Sequence, residues 1–333
     1  MTRTALTLLF LMGLTQSAGA QSGYQLALPI DCTLGADCFI QQYVDADPGP
    51  EARDYRCGTA TYDAHDGTDF RVLSLDAAAR GVRVLASAPG TVKAVRDGVE
   101  DRLMVTRGGD MPASSGGECG NGVVIDHGDG WETQYCHLKQ GSLRVRGGDS
   151  VLMGAPLGLV GYSGNAQFAH VHLSVRRNGS IVDPFSGKGQ DGTCGAAEAD
   201  LSTSLWAAAL HPGLAYADAA VIEAGFAAGA VTTQNAEQGA IVAPGPMAAG
   251  LVFYVRLINM QEGDALRLTA SGPGDFNVSR EIAPLDRAKA DYVAYTGRKL
   301  GGDRWTAGRY SGEVEVLRGG KVIGQRAVTL DMP

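Results

Sequence analysis

The stretch FAHVHLSV, residues 168–175, places His170 and His172 two positions apart in a run of apolar and β-branched residues. Such a run is typical of a β-strand, and the two-residue repeat of a strand points both imidazole rings to the same side. Two histidines on one face are harder to bury than one, because each ring needs partners for both of its nitrogens. The pair could be two metal ligands, a ligand and a base, or a buried polar pair without chemistry.

Short apolar runs broken by glycine surround this strand, from about residue 57 to residue 187. VRVLASA, the turn PG and TVKAVRDG predict one hairpin, and GVVID and WETQYCHL on either side of HGDG predict another. This spacing predicts a mainly β domain over residues 57–187, an antiparallel sheet folded on itself. A second β pattern, from LVFYVRLINM to the hairpin turn RGGK, predicts a small immunoglobulin-like β-sandwich over residues 245–333. That sandwich contains no histidine or cysteine, so we expect it to bind or to brace.

The beginning of the chain has the features of a secretory signal. Arg3 precedes the apolar run ALTLLFLMGL, and SAGA ends at Ala20. The run is shorter than the roughly 20 residues that span a bilayer, so we expect residues 1–20 to be a signal peptide. We therefore expect a periplasmic or extracellular protein with no membrane span in the mature chain. We expect a loop-rich, disulfide-containing wrap over residues 21–56 and an alanine-rich linker with possible short helices over residues 188–244.

Length and charge narrow the classes of partner. The chain has 333 residues, which suits two domains, and 47 glycines, which favour short strands and many turns. Its net charge of −8 offers no basic patch for nucleic acid. We therefore expect no nucleic-acid partner. As a separate expectation, the protein is a monomer.

The six cysteines all lie after the predicted signal peptide and before position 200. An even count in an exported chain predicts disulfides, and without a CxxC pair a cysteine-zinc site is disfavoured. Cys32 and Cys38 can close a local loop, and Cys119 and Cys136 flank one predicted hairpin. Cys57 is left to pair with Cys194.

A second histidine motif precedes the strand motif. In AHDGTDF, Asp69 follows His65 by four positions, and Gly67 between them places the pair on a loop entering a strand. Alone this pattern is weak, because a capping aspartate and a surface histidine explain it as well. Catalytic zinc generally takes three protein ligands and keeps a fourth position for water. If His65 and Asp69 supply two, one strand histidine suffices as the third, and the other, with His137 of YCHL, is free to act on the water.

The order HxxxD, YCHL and HxH resembles the zinc endopeptidases of the lysostaphin and LytM type, peptidase family M23, over about residues 60–187. The resemblance implies an antiparallel LytM-type peptidase domain with Zn²⁺ held by His65, Asp69 and His172. It implies His137 and His170 as the catalytic pair, and peptidoglycan cross-links or stem peptides as the substrate, cut at an amide.

The chain departs from the family pattern in three places. Ser174 stands where members often carry a glutamate, NAQFAH lacks the common TG-x-H pattern, and Cys136 takes a small-residue position. The segment of residues 96–119 is a candidate wall of the substrate groove. One alternative is a non-catalytic domain of the same fold that binds peptidoglycan or activates an amidase, although such proteins typically lose ligands. Another is a zinc peptidase that acts on secreted proteins.

Three further side chains carry weaker expectations. Strand alternation predicts that Tyr135 shares a face with His137, where it could donate to an oxyanion, or that it is a core aromatic. His127, at the turn of IDHGDG, is expected to be structural. His211 is expected to lie on the surface or in the linker.

Overall fold

A computed structural model describes residues 23–104, 117–195 and 201–333 of the chain. The predicted signal peptide lies outside these residues, as does residue range 105–116 within the expected groove wall. Ten strands precede residue 182: β1 (Cys38–Gln42), β2 (Thr68–Val72), β3 (Arg83–Leu85), β4 (Gly90–Arg96), β5 (Asn121–Gly128), β6 (Trp131–Leu138), β7 (Ser150–Val151), β8 (Pro156–Leu159), β9 (His170–Arg177) and β10 (Ser180–Ile181). A short helix, α1 (Leu75–Ala79), follows β2.

Eight of these strands form one antiparallel sheet in the order β1-β2-β9-β6-β5-β4-β7, with β10 also paired to β9, while β3 and β8 form a separate pair. Together with the strands that follow, they confirm the mainly β fold that the sequence predicts. The segment expected as an N-terminal wrap supplies β1, the edge strand beside β2.

Strand β9 lies in the middle of the sheet, and its alternation sorts its side chains. Val171, Leu173 and Val175 are fully buried in the main apolar core. Burying side chains of this size stabilises the fold by about 1.5–3 kcal/mol each. The intervening residues, His170 and His172, consequently face the other side of the sheet.

The second unit consists of two sheets. Its strands are β11 (Ala220–Ala227), β12 (Gly250–Met260), β13 (Asp264–Gly272), β14 (Phe276–Ile282), β15 (Lys289–Lys299), β16 (Gly308–Arg318) and β17 (Lys321–Met332). One sheet has the order β11-β12-β15 and the other β14-β13-β16-β17, and both enclose an apolar core. This arrangement is consistent with the predicted β-sandwich, whose immunoglobulin-like character stays a prediction.

The segment expected as a linker is partly a strand. β11 pairs along its length with β12, which sets Phe226 opposite Phe253. Its sequence, AVIEAGFA, is rich in alanine and offers little of the β-branched alternation that marks a strand. A short helix, α2 (Thr233–Glu237), follows β11 and begins with a capping box at Thr232.

The three predicted disulfides are present, joining Cys32 to Cys38, Cys57 to Cys194 and Cys119 to Cys136. Across the described ranges, no helix has the length and apolar character needed to cross a membrane.

Candidate metal centre

His65, Asp69 and His172 come together where β2 meets β9. The register of the two strands sets Asp69 directly opposite His172. His65 lies on the loop that enters β2, four positions before Asp69. Gly67 makes this approach possible, because a Cβ atom at that position would lie 2.4 Å from Nε2 of His172.

The three side chains are almost completely buried, and their polar atoms converge. Nε2 of His65 lies 3.1 Å from Nδ1 of His172. Oδ1 of Asp69 lies 2.8 Å from that Nδ1 and 3.3 Å from Nε2 of His65. These three possible ligand atoms lie within 4.8 Å of one another, close enough to hold one metal ion.

In each ring, the nitrogen that points away from Asp69 (the outer nitrogen) is hydrogen-bonded to an acceptor. This contact determines whether the nitrogen that points towards Asp69 (the inner nitrogen) carries a proton or a lone pair. Nδ1 of His65 donates to the carbonyl oxygen of Tyr43 at 2.7 Å. Nε2 of His172 lies 3.0 Å from Oδ1 of Asp66 and 3.0 Å from Oγ of Ser174. With those protons on the outer nitrogens, both inner nitrogens point a lone pair at the carboxylate of Asp69. Two imidazole nitrogens and one carboxylate oxygen are ligands that a divalent cation such as zinc takes, so the residues fit a metal ion.

The pKa values of His172 and Asp69 are both shifted in the direction that favours the charged form of the side chain. Burial alone would lower the pKa of His172, but hydrogen bonds to Asp66 and Asp69 raise it to about 9. Burial alone would raise the pKa of Asp69, but the neighbouring imidazoles of His65 and His170 hold it well below its usual range.

His137 and His170 form a second pair beside the three. Their ring centroids are 4.5 Å apart, and both are buried. Nδ1 of His137 donates to the carbonyl of Ser163 at 2.8 Å, and Nδ1 of His170 to that of Phe168 at 2.9 Å. Burial lowers the pKa of both rings, strongly for His137. Each is thus a neutral imidazole with Nε2 available as a base, and Nε2 of His170 lies 3.5 Å from Oδ1 of Asp69.

His137 reaches the groove because its backbone breaks the alternation of β6. It adopts φ 63°, a left-handed conformation that is uncommon for a residue other than glycine. Tyr135 is fully buried in the core, and its hydroxyl accepts from the amide of Ser87 at 2.7 Å. The expectation that Tyr135 shares a face with His137 is therefore wrong, because regular alternation does not extend to His137, and Tyr135 is the core aromatic.

Asp66 is a functional candidate that sequence reasoning did not identify. Its carboxylate contacts Nε2 of His172 and accepts from Nη2 of Arg176 at 3.0 Å. Ser174 contacts the same nitrogen. As noted for the sequence, members of the family that this chain resembles often carry a glutamate at this position. Asp66 thus supplies from the loop a carboxylate that Ser174 cannot supply from the strand. Its place beside His65 in HDG was the available signal.

All five predicted site residues line one groove of about 840 Å³. Its walls include Tyr62, Glu118, Gln167 and Arg176, and among the described residues that line it none comes from the second unit. NAQF, expected to border the groove, contributes Asn165, Gln167 and Phe168.

The other two histidines have contacts of their own. His127 bonds to the carbonyl of Pro89 and to Thr133, and His211 donates to the carbonyl of Trp206.

Residues 63–184 match the family model described as Peptidase family M23. Over 129 residues the chain is 33% identical to a DD-carboxypeptidase/endopeptidase Mpg of Neisseria meningitidis, an alignment that covers 38% of this chain and 23% of that protein. It is 32% identical over 124 residues to an uncharacterized metalloprotease of Haemophilus influenzae, with 37% of this chain and 21% of that protein covered.

Among solved structures, the catalytic domain of the antimicrobial peptidase lysostaphin from Staphylococcus simulans is similar, with 21% identity and a TM-score of 0.27. That match covers 36% of this chain and 76% of the other. The chain spans less than a quarter of the two curated relatives named above. Residues 63–184 thus carry a domain that matches peptidase family M23, as the sequence motifs predict.

Proposed function

We propose that the protein is an exported, zinc-dependent endopeptidase that hydrolyses the peptide cross-links or stem peptides of peptidoglycan. The observation that carries the proposal is the pairing of two sets of side chains in one groove. His65, Asp69 and His172 offer three ligand atoms, and His137 and His170 stand beside them as neutral bases. The match of residues 63–184 to a peptidase family model and similarity to a protein named as a carboxypeptidase/endopeptidase support the reaction class.

In the proposed mechanism, His65, Asp69 and His172 would hold the metal. A bound zinc ion would supply Lewis acidity, making water nucleophilic near neutral pH and polarising a carbonyl. Nε2 of His170 accepts the proton that water loses as it attacks the scissile carbonyl. Nε2 of His137 is unprotonated at rest, so it acts after it has received this proton from the His170 side: as Nε2–H it donates to the developing oxyanion or passes the proton to the leaving amine, so that the amide C–N bond breaks to give a carboxylate and an amine.

The carbonyl groups of Ser163 and Phe168 contribute by fixing the rings. Each accepts from Nδ1–H, so each ring keeps the tautomer in which Nε2 is the base. The two bases therefore need no rearrangement before they act. Three disulfides favour an oxidising compartment outside the cytoplasm, where peptidoglycan is found.

The alternative of a non-catalytic, peptidoglycan-binding or amidase-activating domain would not require a complete set of ligands and bases. The test combines metal analysis of the purified protein with clearing of purified cell walls, followed by mass spectrometry of the released muropeptides. Zinc-dependent clearing with new peptide ends is expected. Stoichiometric zinc without any muropeptide release would refute the proposal, and cleavage of an unstructured polypeptide alone would indicate a peptidase of secreted proteins.

A further inference from the structure

We propose that the second unit positions His170, through a carboxylate that it places against the residue immediately before β9. The carboxylate belongs to Glu237, the last residue of α2. This helix packs on the second unit, where Ala236 lies in an apolar cluster with Tyr254 of β12. Glu237 is nevertheless buried against the peptidase sheet and not against its own unit alone.

Glu237 uses both of its carboxylate oxygens. Oε1 accepts from the backbone amide of Ala169 at 3.2 Å. Oε2 accepts from Nη2 of Arg71 in β2 at 2.6 Å and from Nη2 of Arg256 in β12 at 2.7 Å. One side chain thus joins strand β2 and the residue before β9, in the first unit, to strand β12 of the second. Both guanidinium groups are fully buried, so they depend on this carboxylate for charge compensation.

The contacts continue from Glu237 to His170 along two short routes. Ala169 is the residue before His170, and its carbonyl accepts from the amide of Val72 at 3.1 Å. The guanidinium of Arg71 lies 4.9 Å from the ring centroid of Phe168, which is itself 4.4 Å from that of His170. The carbonyl of Phe168 is also the acceptor for Nδ1 of His170. Glu237 therefore fixes the backbone and the ring that set the orientation of His170.

The rest of the interface keeps the two units in register at this point. Nη1 of Arg256 donates to the carbonyl of Leu73 at 2.9 Å, next to the end of β2. Phe39 of β1 is buried with Ile222 of β11 and Ile258 of β12 in a small apolar cluster between the units. Asp291 of β15 provides the second carboxylate for Arg256, which balances the two buried guanidinium groups with two carboxylates.

In the described part of the chain, Glu237 contacts neither the candidate ligands nor the groove. It would therefore act on His170 only through other groups, as a positioning residue. Its role predicts a local effect on the Phe168–His170 segment that general destabilisation would not reproduce. Only the kinetic arm of the test rests on the proposed function, because amide exchange at Ala169 is measured without substrate.

The experiment compares full-length Glu237→Gln with Asp264→Asn. Glutamine keeps the shape but has one acceptor oxygen; held by the two guanidinium groups, it leaves its NH₂ group facing the amide of Ala169. Asp264 is a matched control, because it is a buried carboxylate that accepts from Arg318 and from the backbone amide of Gln261, within the second unit. Hydrogen exchange of alanine amides is followed by NMR, with zinc content and the initial rate of clearing purified cell walls measured in parallel.

Glu237→Gln should speed amide exchange at Ala169 by about tenfold, because one hydrogen bond is lost. It should also slow the clearing of cell walls by about tenfold or more, with zinc retained. Asp264→Asn should lower the thermal midpoint yet change neither reading. If Glu237→Gln does not fold, the double variant Glu237→Gln/Arg256→Met replaces it, because Arg71 and Asp291 remain as balanced charges.

Unchanged exchange at Ala169 would overturn the proposal, as would equal acceleration in Asp264→Asn at the same loss of stability. Wild-type protein that fails to clear cell walls would refute the proposed function while leaving the exchange result to decide this inference.

Discussion

Replacing each histidine of the HxH motif should separate metal binding from turnover. Nδ1 of His172 belongs to the three-atom ligand group, whereas His170 contributes no atom to it. Zinc sites with four protein ligands bind with about 10–16 kcal/mol, or about 2.5–4 kcal/mol for each ligand. His172→Ala should therefore raise the Kd for zinc by about 10²–10³-fold, and clearing of cell walls should disappear with the metal.

His170→Ala should keep zinc affinity near the wild-type value, because the ring that it removes is hydrogen-bonded to Phe168 and not needed by the ligand group. Loss of a general base should nevertheless slow turnover by about 10²–10⁴-fold. The assay is competition for zinc against a chromophoric chelator, with clearing rates measured at saturating zinc. His127→Ala, on the outer hairpin, should change neither quantity. Equal zinc affinities for His172→Ala and the wild type, or equal losses in both variants, would refute the assignment.

Three further predictions concern single side chains. Asp66→Ala should weaken zinc binding by about 10–100-fold in the same competition assay, since the outer nitrogen of His172 loses its carboxylate; an unchanged Kd would show that Asp66 does not support the ligand. Tyr135→Phe should cost about 1–3 kcal/mol in denaturant unfolding, because the amide of Ser87 loses its acceptor, yet leave clearing unchanged; slower clearing at full zinc occupancy would restore a catalytic role for the hydroxyl. Burial raises the pKa of Asp183 from 3.8 to about 6. Asp183 therefore binds a proton more tightly in the folded state than in the unfolded state. Its stabilising contribution is present below pH 3.8, and about 3 kcal/mol is lost as the pH rises through 6. Asp183→Asn should remove that loss from curves of stability against pH, and curves parallel to those of the wild type would exclude this role of Asp183.

Much of the site could be anticipated because its residues follow regular geometry. Alternation in β9 places His170 and His172 on one side, and the pairing of β2 with β9 brings Asp69 opposite His172. The mainly β fold and the family follow from the same short strands and motifs. The domain boundaries and the catalytic roles stay predictions.

The features that escaped prediction depend on backbone irregularity or on contacts distant in sequence. His137 turns into the groove through a positive φ, which an alternating pattern cannot reveal. Tyr43, which holds His65, contributes a carbonyl group, and carbonyl groups carry no side-chain signature. Glu237 meets Arg71 across 166 positions of sequence, so only the packing of the two units makes the pair visible.

The edge strand β1 lies outside the part of the chain that matches the family model, although it pairs with a strand inside that part. A fragment cut to residues 63–184 would lack β1, so β2, which carries Asp69, would become an unpaired edge. Exposed edges of this kind promote association with other chains. The same cut would remove Tyr43 and leave Nδ1 of His65 without its acceptor. Expression of this enzyme candidate should therefore retain β1 and Tyr43 as well as the family match. A fragment trimmed to the match would be prone to aggregate, and its inactivity would say nothing about the chemistry of the groove.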